Sequence, residues 1–468
     1  MAELLNRPLT ELLDFLSRRQ LSPLELMQAT LERIGAENHK LNAVVALGDR
    51  QALLADARAA GERYARGEAR ALEGIPLGVK DVEDAAGFAT THGSVPFKDE
   101  IAQRDSVQVE RLKAAGALVV GKTNTPEWGA TAITKNPLFG VTRNPWNLER
   151  TPGGSSGGSS AAIAGGLLPM ATASDGGGSV RLPASMTGCF GLKGSYGRVP
   201  CENAHLWVIE DTVCRGPLTR TVEDAALHLD VVAGPHPLDP NSLPHPGISY
   251  RQLLRDLPAG LRVGFSADLG FAVVQNDVAE VVYDAARVFE ELGHRFEEPK
   301  TAAPHLGADW GMVGALELYP KLSGKLPEHQ EEFGRAFLRS VLGAIEIDAE
   351  RWGRIREGRA ALSRWCAEIF DRYDLLLTPT VPYDPPPAKG PFPSETEGRE
   401  QPLAGVASFT IPFNLSWHPA ATVRAGFSKA GLPVGLQIVG PRHRDDLVLQ
   451  AAFAFERARP WAHEWPQI

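Results

Sequence analysis

Between Thr151 and Pro183 the chain reads TPGGSSGGSSAAIAGGLLPMATASDGGGSVRLP, and no other stretch limits its fold so tightly. Two Gly/Ser-rich loops flank a helix of small residues and a short apolar run ending at Ser174. Glycine and serine place backbone N–H groups and hydroxyls where a packed domain normally places bulk. A flexible linker does not account for the pattern, because Ala161, Ile163, Leu167, Leu168 and Met170 between the loops have the character of buried residues. A catalytic centre does.

Around this stretch the pattern is α/β. Helix signals open the chain: Thr10 can cap ELLDFLSRR, Ser22-Pro23-Leu24-Glu25 is a capping box with proline at the first helical position, and an alanine-rich helix is expected from about Asp49 to Gly67. From Gly74 the chain changes to short apolar runs between turns, IPLGVKD and GALVVGKTN, with a helix around 106–115 between them. Strands alternating with helices predict a mixed, largely parallel central sheet covered by helices on both faces. The expected layout is one domain over residues 1–468: a helical layer to 70, a catalytic core over 71–235, a variable and partly helical region over 236–408, and a closing hairpin and helix over 409–468. The hairpin turns around Ser428 to Gly431, and its helix runs from Arg444 to about Arg457. Within the variable region the proline-rich loop 379–400 cannot pack as regular structure and reads either as a rim or lid or as a plain surface connection.

Composition narrows the class of function. With 48 Lys+Arg against 57 Asp+Glu, a net charge of -9, the chain lacks the basic face that a nucleic-acid partner needs. Cys189, Cys201, Cys214 and Cys366 match no zinc spacing and are too few for a disulfide scaffold. No signal peptide or membrane span is read from the sequence, which gives a cytoplasmic expectation.

Three chemistries compete for the central stretch. Glycine-rich turns bind phosphate at helix starts, but GGSSGGSS lacks a GK[ST] ending and DGGGSVR lacks GxGxxG. Gly153 to Gly157 formally fits the G-x-S-x-G elbow, yet the turn-rich RNPWNLERTP precedes it instead of a strand. The third reading is a pair of serines served by a lysine. Here the run LLPMATAS leads into Asp175-Gly176-Gly177-Gly178-Ser179, so Ser179 stands at a strand end behind three glycine peptides. Acyl transfer requires that arrangement, since N–H donors preorganised for a tetrahedral oxyanion contribute about 3 to 4 kcal/mol each. Lys80 ends the strand IPLGVK, where it either reaches a site beyond the strand ends or lies on the surface.

Position by position, Gly153 to Ala184 resembles the amidase signature family: GGSSGG, a small-residue helix, then DGGGSVRLPA. The resemblance continues in GIPLGVKD, GKTNTPEWG, TRNPWN, GLKGSYGRVP, GPLTRTVEDAA and GLPVGLQIVG, and so covers most of the chain. It implies a Ser-cisSer-Lys centre with Ser179 as nucleophile, Ser155 as bridging serine and Lys80 as base. It also implies a cis peptide before Ser155 and an oxyanion hole from the N–H groups of Gly176, Gly177, Gly178 and Ser179. The implied reaction is hydrolysis of an aryl or alkyl carboxamide through an acyl-enzyme, without metal or organic cofactor, with esters and carbamates (urethanes) as side substrates. The partners implied are a small-molecule substrate and water, and the family likeness allows a homodimer. The alternative within the same family is the tRNA-directed, glutamine-dependent amidotransferase, of which this chain would be one component.

Several residues qualify the resemblance. Leu182 stands where a malonamate-type member carries a carboxylate-binding arginine, which argues against that specificity. The family's NLxGxPA reads Asn414-Leu415-Ser416-Trp417-His418-Pro419-Ala420, with tryptophan where glycine is common. Trp417 is expected to join Trp128 and Trp207 in a pocket for a bulky group, with an ordinary structural role as the other reading of all three. Arg181 and Asp175 are expected to pair and hold the loop. A basic lysine must lose about 2 units from its usual pKa to act near pH 8, which burial can supply. Asp81, the next residue on the strand, should point to the other face.

Overall fold

The computed structural model describes residues 2–201 and 211–468. Helices precede the first strand: α1 (Leu9–Ser17) and α2 (Pro23–Leu41). The capping box at Ser22 is present, with Ser22 accepting from the Glu25 N–H and Glu25 accepting from the Ser22 N–H. Thr10 does something other than cap. The N-cap of α1 is Pro8, and the free N–H groups of Leu9 and Thr10 are given to Asp224 at 3.0 and 2.9 Å. A carboxylate 214 residues away thus satisfies the helix start. Helix α3 (Arg50–Arg66) follows the prediction closely, with Asp49 as N-cap and Gly67 in the left-handed region.

Eleven strands form the sheet: β1 (Val44–Leu47), β2 (Pro76–Lys80), β3 (Leu118–Thr123), β4 (Met170–Asp175), β5 (Phe190–Lys193), β6 (Cys214–Thr219), β7 (Arg262–Phe265), β8 (Arg295–Glu297), β9 (Leu375–Pro379), β10 (Ala420–Phe427) and β11 (Pro433–Val439). Their spatial order is β1-β3-β2-β4-β6-β5-β10-β11-β9-β7-β8. The α/β class and the mixed sheet are as expected, but the parallel share is smaller than the strand–helix alternation suggests. Parallel pairing holds in two wings, β3-β2-β4 and β9-β7-β8. From β4 through β6, β5, β10 and β11 to β9 the pairing is antiparallel. One of these pairs has a local cause: the tight turn at 428–431 joins β10 to β11, and so short a connection can only reverse the chain.

Helices cover both faces and contribute to separate apolar clusters. The principal cluster contains residues of α4 (Val107–Ala114), α7 (Val222–Val232), α8 (Asn276–Ala286), α11 (Ala349–Arg372) and α12 (Asp445–Ala458). A second cluster joins the small residues of α5 (Gly157–Ala164) and α6 (Arg181–Thr187) to β4 and β6. Helices α9 (Gly307–Leu322) and α10 (Arg335–Ala344) pack on each other in the variable region. No described helix is long and apolar enough to cross a membrane.

One core residue breaks the pattern of its helix. His228 lies on α7 among Ala225, Leu229 and Val232, is fully buried, and neither ring nitrogen has a partner among the described residues. Burial pushes its pKa down to about 3. The folded value lies below the unfolded one, so the unfolded chain takes up the proton first, and stability is lost as pH falls through about 6.5 towards 3. His228→Leu is therefore expected to stabilise the protein by about 1–3 kcal/mol at pH 7.5 and by more at pH 5. Thermal unfolding of both proteins across that range checks it; an equal or lower Tm for the variant at pH 5 contradicts it.

Candidate active site

Strand β4 delivers the central stretch. All six of its residues are buried, and it ends at Asp175, where the chain turns through Gly176, Gly177 and Gly178 into α6. Asp175 shapes this turn. Its carboxylate accepts from the N–H groups of Gly178, Val180 and Arg181 at 2.7, 3.1 and 3.3 Å. Arg181 Nε and Nη2 donate to it at 3.0 and 2.9 Å, and Asn414 Nδ2 donates at 2.9 Å. Burial by itself would push this carboxyl up, but the Arg181 guanidinium beside it, with Lys193 and Asn414, holds it well below the usual carboxylate range. The expected Asp175–Arg181 pair is thus present, with both side chains fully buried.

The same bonds divide the four peptide groups expected to face an oxyanion. The Gly178 N–H is committed to Asp175. Those of Gly176, Gly177 and Ser179 have no hydrogen-bond partner among the described residues. Gly178 has φ 131°, and a Cβ there would stand 2.3 Å from Thr410 Oγ1. A Cβ on Gly177 would stand 2.4 Å from the Trp310 ring. Only glycine fits either position.

The other loop comes against this turn through Ser156, whose N–H donates to the Ser179 carbonyl at 3.2 Å and whose hydroxyl donates to the Ser174 carbonyl at 3.3 Å. The Gly154–Ser155 peptide is cis. Ser155 is buried, and its Oγ lies 2.7 Å from Lys80 Nζ. The amine also lies 2.9 Å from Ser174 Oγ. Lys80 is fixed at the end of β2, where its own N–H donates to Thr172 Oγ1 at 3.0 Å. Ser179 is half-buried, and its hydroxyl has no partner among the described residues. Lys80, Ser155 and Ser179 thus come from β2, the loop before α5 and the turn after β4.

Burial pushes the Lys80 pKa down to about 7, helped by the Arg215 charge and opposed by Asp175 and Glu83. An amine with that pKa is largely neutral above pH 7 and can accept a proton. Asp81 does not compete for it: its carboxylate accepts from the N–H groups of Thr91 and Gly93 at 3.1 and 3.3 Å. The expectation that it faces away from the amine agrees with these bonds.

The tryptophans divide. The Trp128 ring stacks on His92 with centroids 3.9 Å apart and meets Phe97 edge-on. Its neighbour Gly129 is the residue against Ser155, where a Cβ would come 3.2 Å from Oγ. The Trp417 indole engages Tyr196, the Asp211 carbonyl and Arg359 and is 39% exposed. Trp207 lies outside the described residues. The tryptophan that does reach the turn is Trp310 of α9, whose Nε1 donates to the Gly176 carbonyl at 2.9 Å. Thr212 Oγ1 donates to the same oxygen at 3.1 Å.

Beyond Trp310 opens a small cleft with Leu306, Val313, Trp352, Ile355 and Leu415 in its wall, together with Asp309, Arg356 and Arg359. On another side Trp310 joins an apolar group with Ala132, Leu182, Tyr383, Phe392 and Ile411. Tyr383 and Phe392 belong to the proline-rich loop, which is fastened to the front of the central stretch by the Thr151 N–H donating to the Pro386 carbonyl at 2.9 Å. Sequence reasoning missed Trp310, because nothing in its local pattern ties it to a glycine 134 residues earlier. Ser174 carried a signal, as a hydroxyl at the end of the strand leading to Ser179.

Similarity to known proteins points the same way as the geometry. The Amidase family profile matches residues 25–449. The chain is 39% identical over 467 residues to an acylamidase of Rhodococcus erythropolis, covering 98% of this chain and 96% of that protein. It is 34% identical over 488 residues to a component of the glutamyl-tRNA(Gln) amidotransferase of Roseiflexus castenholzii, covering 97% and 96%. Among solved structures, a bacterial aryl acylamidase of the amidase signature enzymes superposes with a TM-score of 0.91 at 32% identity, covering 97% of each chain.

Proposed function

The chain belongs to the amidase signature family and is a hydrolase of carbon–nitrogen bonds in amides, and on that premise we propose that it cleaves aryl or alkyl carboxamides by a Ser-cisSer-Lys mechanism. Ser179 attacks the carbonyl, Ser155 carries its proton to Lys80, and the proton returns by the same path to the leaving amine. The oxyanion is held by the N–H groups of Gly176, Gly177 and Ser179, with Gly178 fixing the turn through Asp175. Water then repeats the attack on the acyl-enzyme. Esters and carbamates, whose carbonyl carbons pass through the same tetrahedral geometry, are expected as slower substrates.

One observation carries this reading: a buried amine whose pKa is pushed down to about 7 stands 2.7 Å from the Ser155 hydroxyl, and the next residue, Ser156, donates its N–H to the Ser179 carbonyl. The apolar group around Trp310, with Leu182, Tyr383, Phe392 and Ile411, supports an aryl or alkyl group on the substrate. A second reading, one component of a glutamine-dependent amidotransferase, is favoured by the 34% identity to such proteins.

The two separate on one assay. The purified protein, without ATP or partner, is given anilides, primary amides, esters and carbamates, with Ser179→Ala as the blank. Turnover of an anilide above the blank is expected; activity that appears only with glutamine, ATP and the other amidotransferase components would assign the chain to the second reading.

A further inference from the structure

Beside the Lys80 amine lies a set of buried charges that the proposed relay does not use. The Glu83 carboxylate, 1% exposed, accepts from Ser106 Oγ at 2.8 Å and from Gln108 Nε2 at 3.1 Å. Its Oε1 stands 3.9 Å from Arg215 Nε. Arg215 is itself buried on β6, directly opposite Ser174 across the β4–β6 pair. Residues opposed in this way leave the sheet on the same face, with Cβ atoms about 5 Å apart. Ser174 Oγ is the atom 2.9 Å from Lys80 Nζ. A guanidinium that never loses its charge is therefore set one side chain away from the amine.

The other charged and titratable groups around Lys80 are engaged with one another. Asp175 is tied to Arg181. Asp81 holds the 91–93 turn and lies 3.8 Å from Lys122 Nζ, which donates to the Glu83 carbonyl. His92 is stacked on Trp128, and Lys193 of β5 lies 3.8 Å from Cys214 Sγ of β6. Asp175 and Glu83 are the negative charges that draw a proton onto the amine, and Arg215 is the positive charge that opposes them.

We propose that Arg215 is a positioning residue for the base: paired with Glu83, it offsets that carboxylate and keeps the Lys80 amine free to take a proton from Ser155. The inference rests on the reading of Lys80 as base. Without Arg215, the positive charge that opposes protonation of the amine is gone, and the balance of charge around Lys80 shifts towards the ammonium form.

The test is the pH profile of kcat/KM on an anilide for the wild type, Arg215→Met, Glu83→Gln and the double variant. Arg215→Met is expected to move the acid limb to higher pH by about one unit, with the alkaline plateau kept to within about fivefold. Glu83→Gln, whose amide oxygen can still accept from Ser106 and Gln108 at the Oε1 position, is expected to move the limb to lower pH. The double variant returns it to within about 0.3 units of the wild type. Limbs that stay at the wild-type pH in both single variants, whatever rate is lost, would overturn the proposal. If Arg215→Met does not fold, the Glu83→Gln profile decides alone: a downward shift supports the proposal and an unmoved limb refutes it. Lys80→Met is run beside them, because activity and an acid limb surviving in that variant would refute the base itself rather than its charge partner.

Discussion

Ser179→Ala is expected to lower kcat on any amide substrate by about 10⁴-fold or more while leaving the fold intact. In the proposed mechanism Ser179 forms and breaks the covalent bond, so no neighbouring group substitutes for it. Ser155 cannot, because its hydroxyl lies on the lysine at 2.7 Å and the Gly129 backbone closes over it. The structural cost is small for an equally local reason. The Ser179 hydroxyl has no hydrogen-bond partner among the described residues, so its removal leaves no buried donor or acceptor behind. Tm should change by no more than about 2 °C. A serine-directed reagent should label the wild type at Ser179 and leave Ser179→Ala unlabelled. Residual turnover above about 1% of wild type in the variant, or labelling at Ser155, would sink the assignment and revive the elbow reading of Gly153 to Gly157.

Lys80→Met should cost about 10³-fold or more in kcat/KM and yet make the protein more stable at neutral pH. The folded pKa of about 7 lies below the ordinary 10.5, because burial disfavours the charged amine. The unfolded chain therefore binds this proton more tightly. The penalty is fully present below about pH 7, and stability recovers as pH rises from about 7 to 10.5. Methionine fills the same space without a charge to desolvate. It also deprives Ser155 and Ser174 of a partner, which offsets part of the gain. A net stabilisation of about 1–3 kcal/mol is expected at pH 7, shrinking as pH approaches 10.

Thermal unfolding at the two pH values measures that stabilisation, and a lower Tm for the variant at pH 7 would contradict it. The same pKa fixes the activity profile of the wild type. Its kcat/KM should fall about tenfold per unit below pH 7, as the amine takes up the proton that disables it. A profile flat from pH 5 to 9 would remove Lys80 as the base. Gain of stability with loss of function is the expected mark of a residue kept for its chemistry.

Much of the fold and of the centre was legible along the chain, and the reason is locality. The capping box at Ser22, the Asp49 and Gly67 ends of α3 and the hairpin at 428–431 depend on residues within a few positions of one another. Ser155 and Ser179 stood out because three consecutive glycines and two serine pairs have few other uses in a buried segment. Lys80 is not singled out by its own strand, since a lysine at a strand end more often meets water. The balance between parallel and antiparallel pairing was not legible, because sheet order is set by which strands find partners after collapse.

What the sequence determined by itself was the chemistry available: two hydroxyls, one amine and a turn of glycine peptides, each written in consecutive residues. The tertiary structure decided whether that chemistry is usable. It desolvates Lys80 between β2, β4 and β6 until the amine loses its proton near pH 7. It spends the Gly178 N–H on Asp175 and leaves its neighbours unpaired, and it sets Trp310, not Trp417, against the turn. Each of these depends on burial or on partners more than a hundred residues apart, except the Asp175 turn. Spacing along a chain encodes the groups, but desolvation and long-range contact exist only once the sheet is closed.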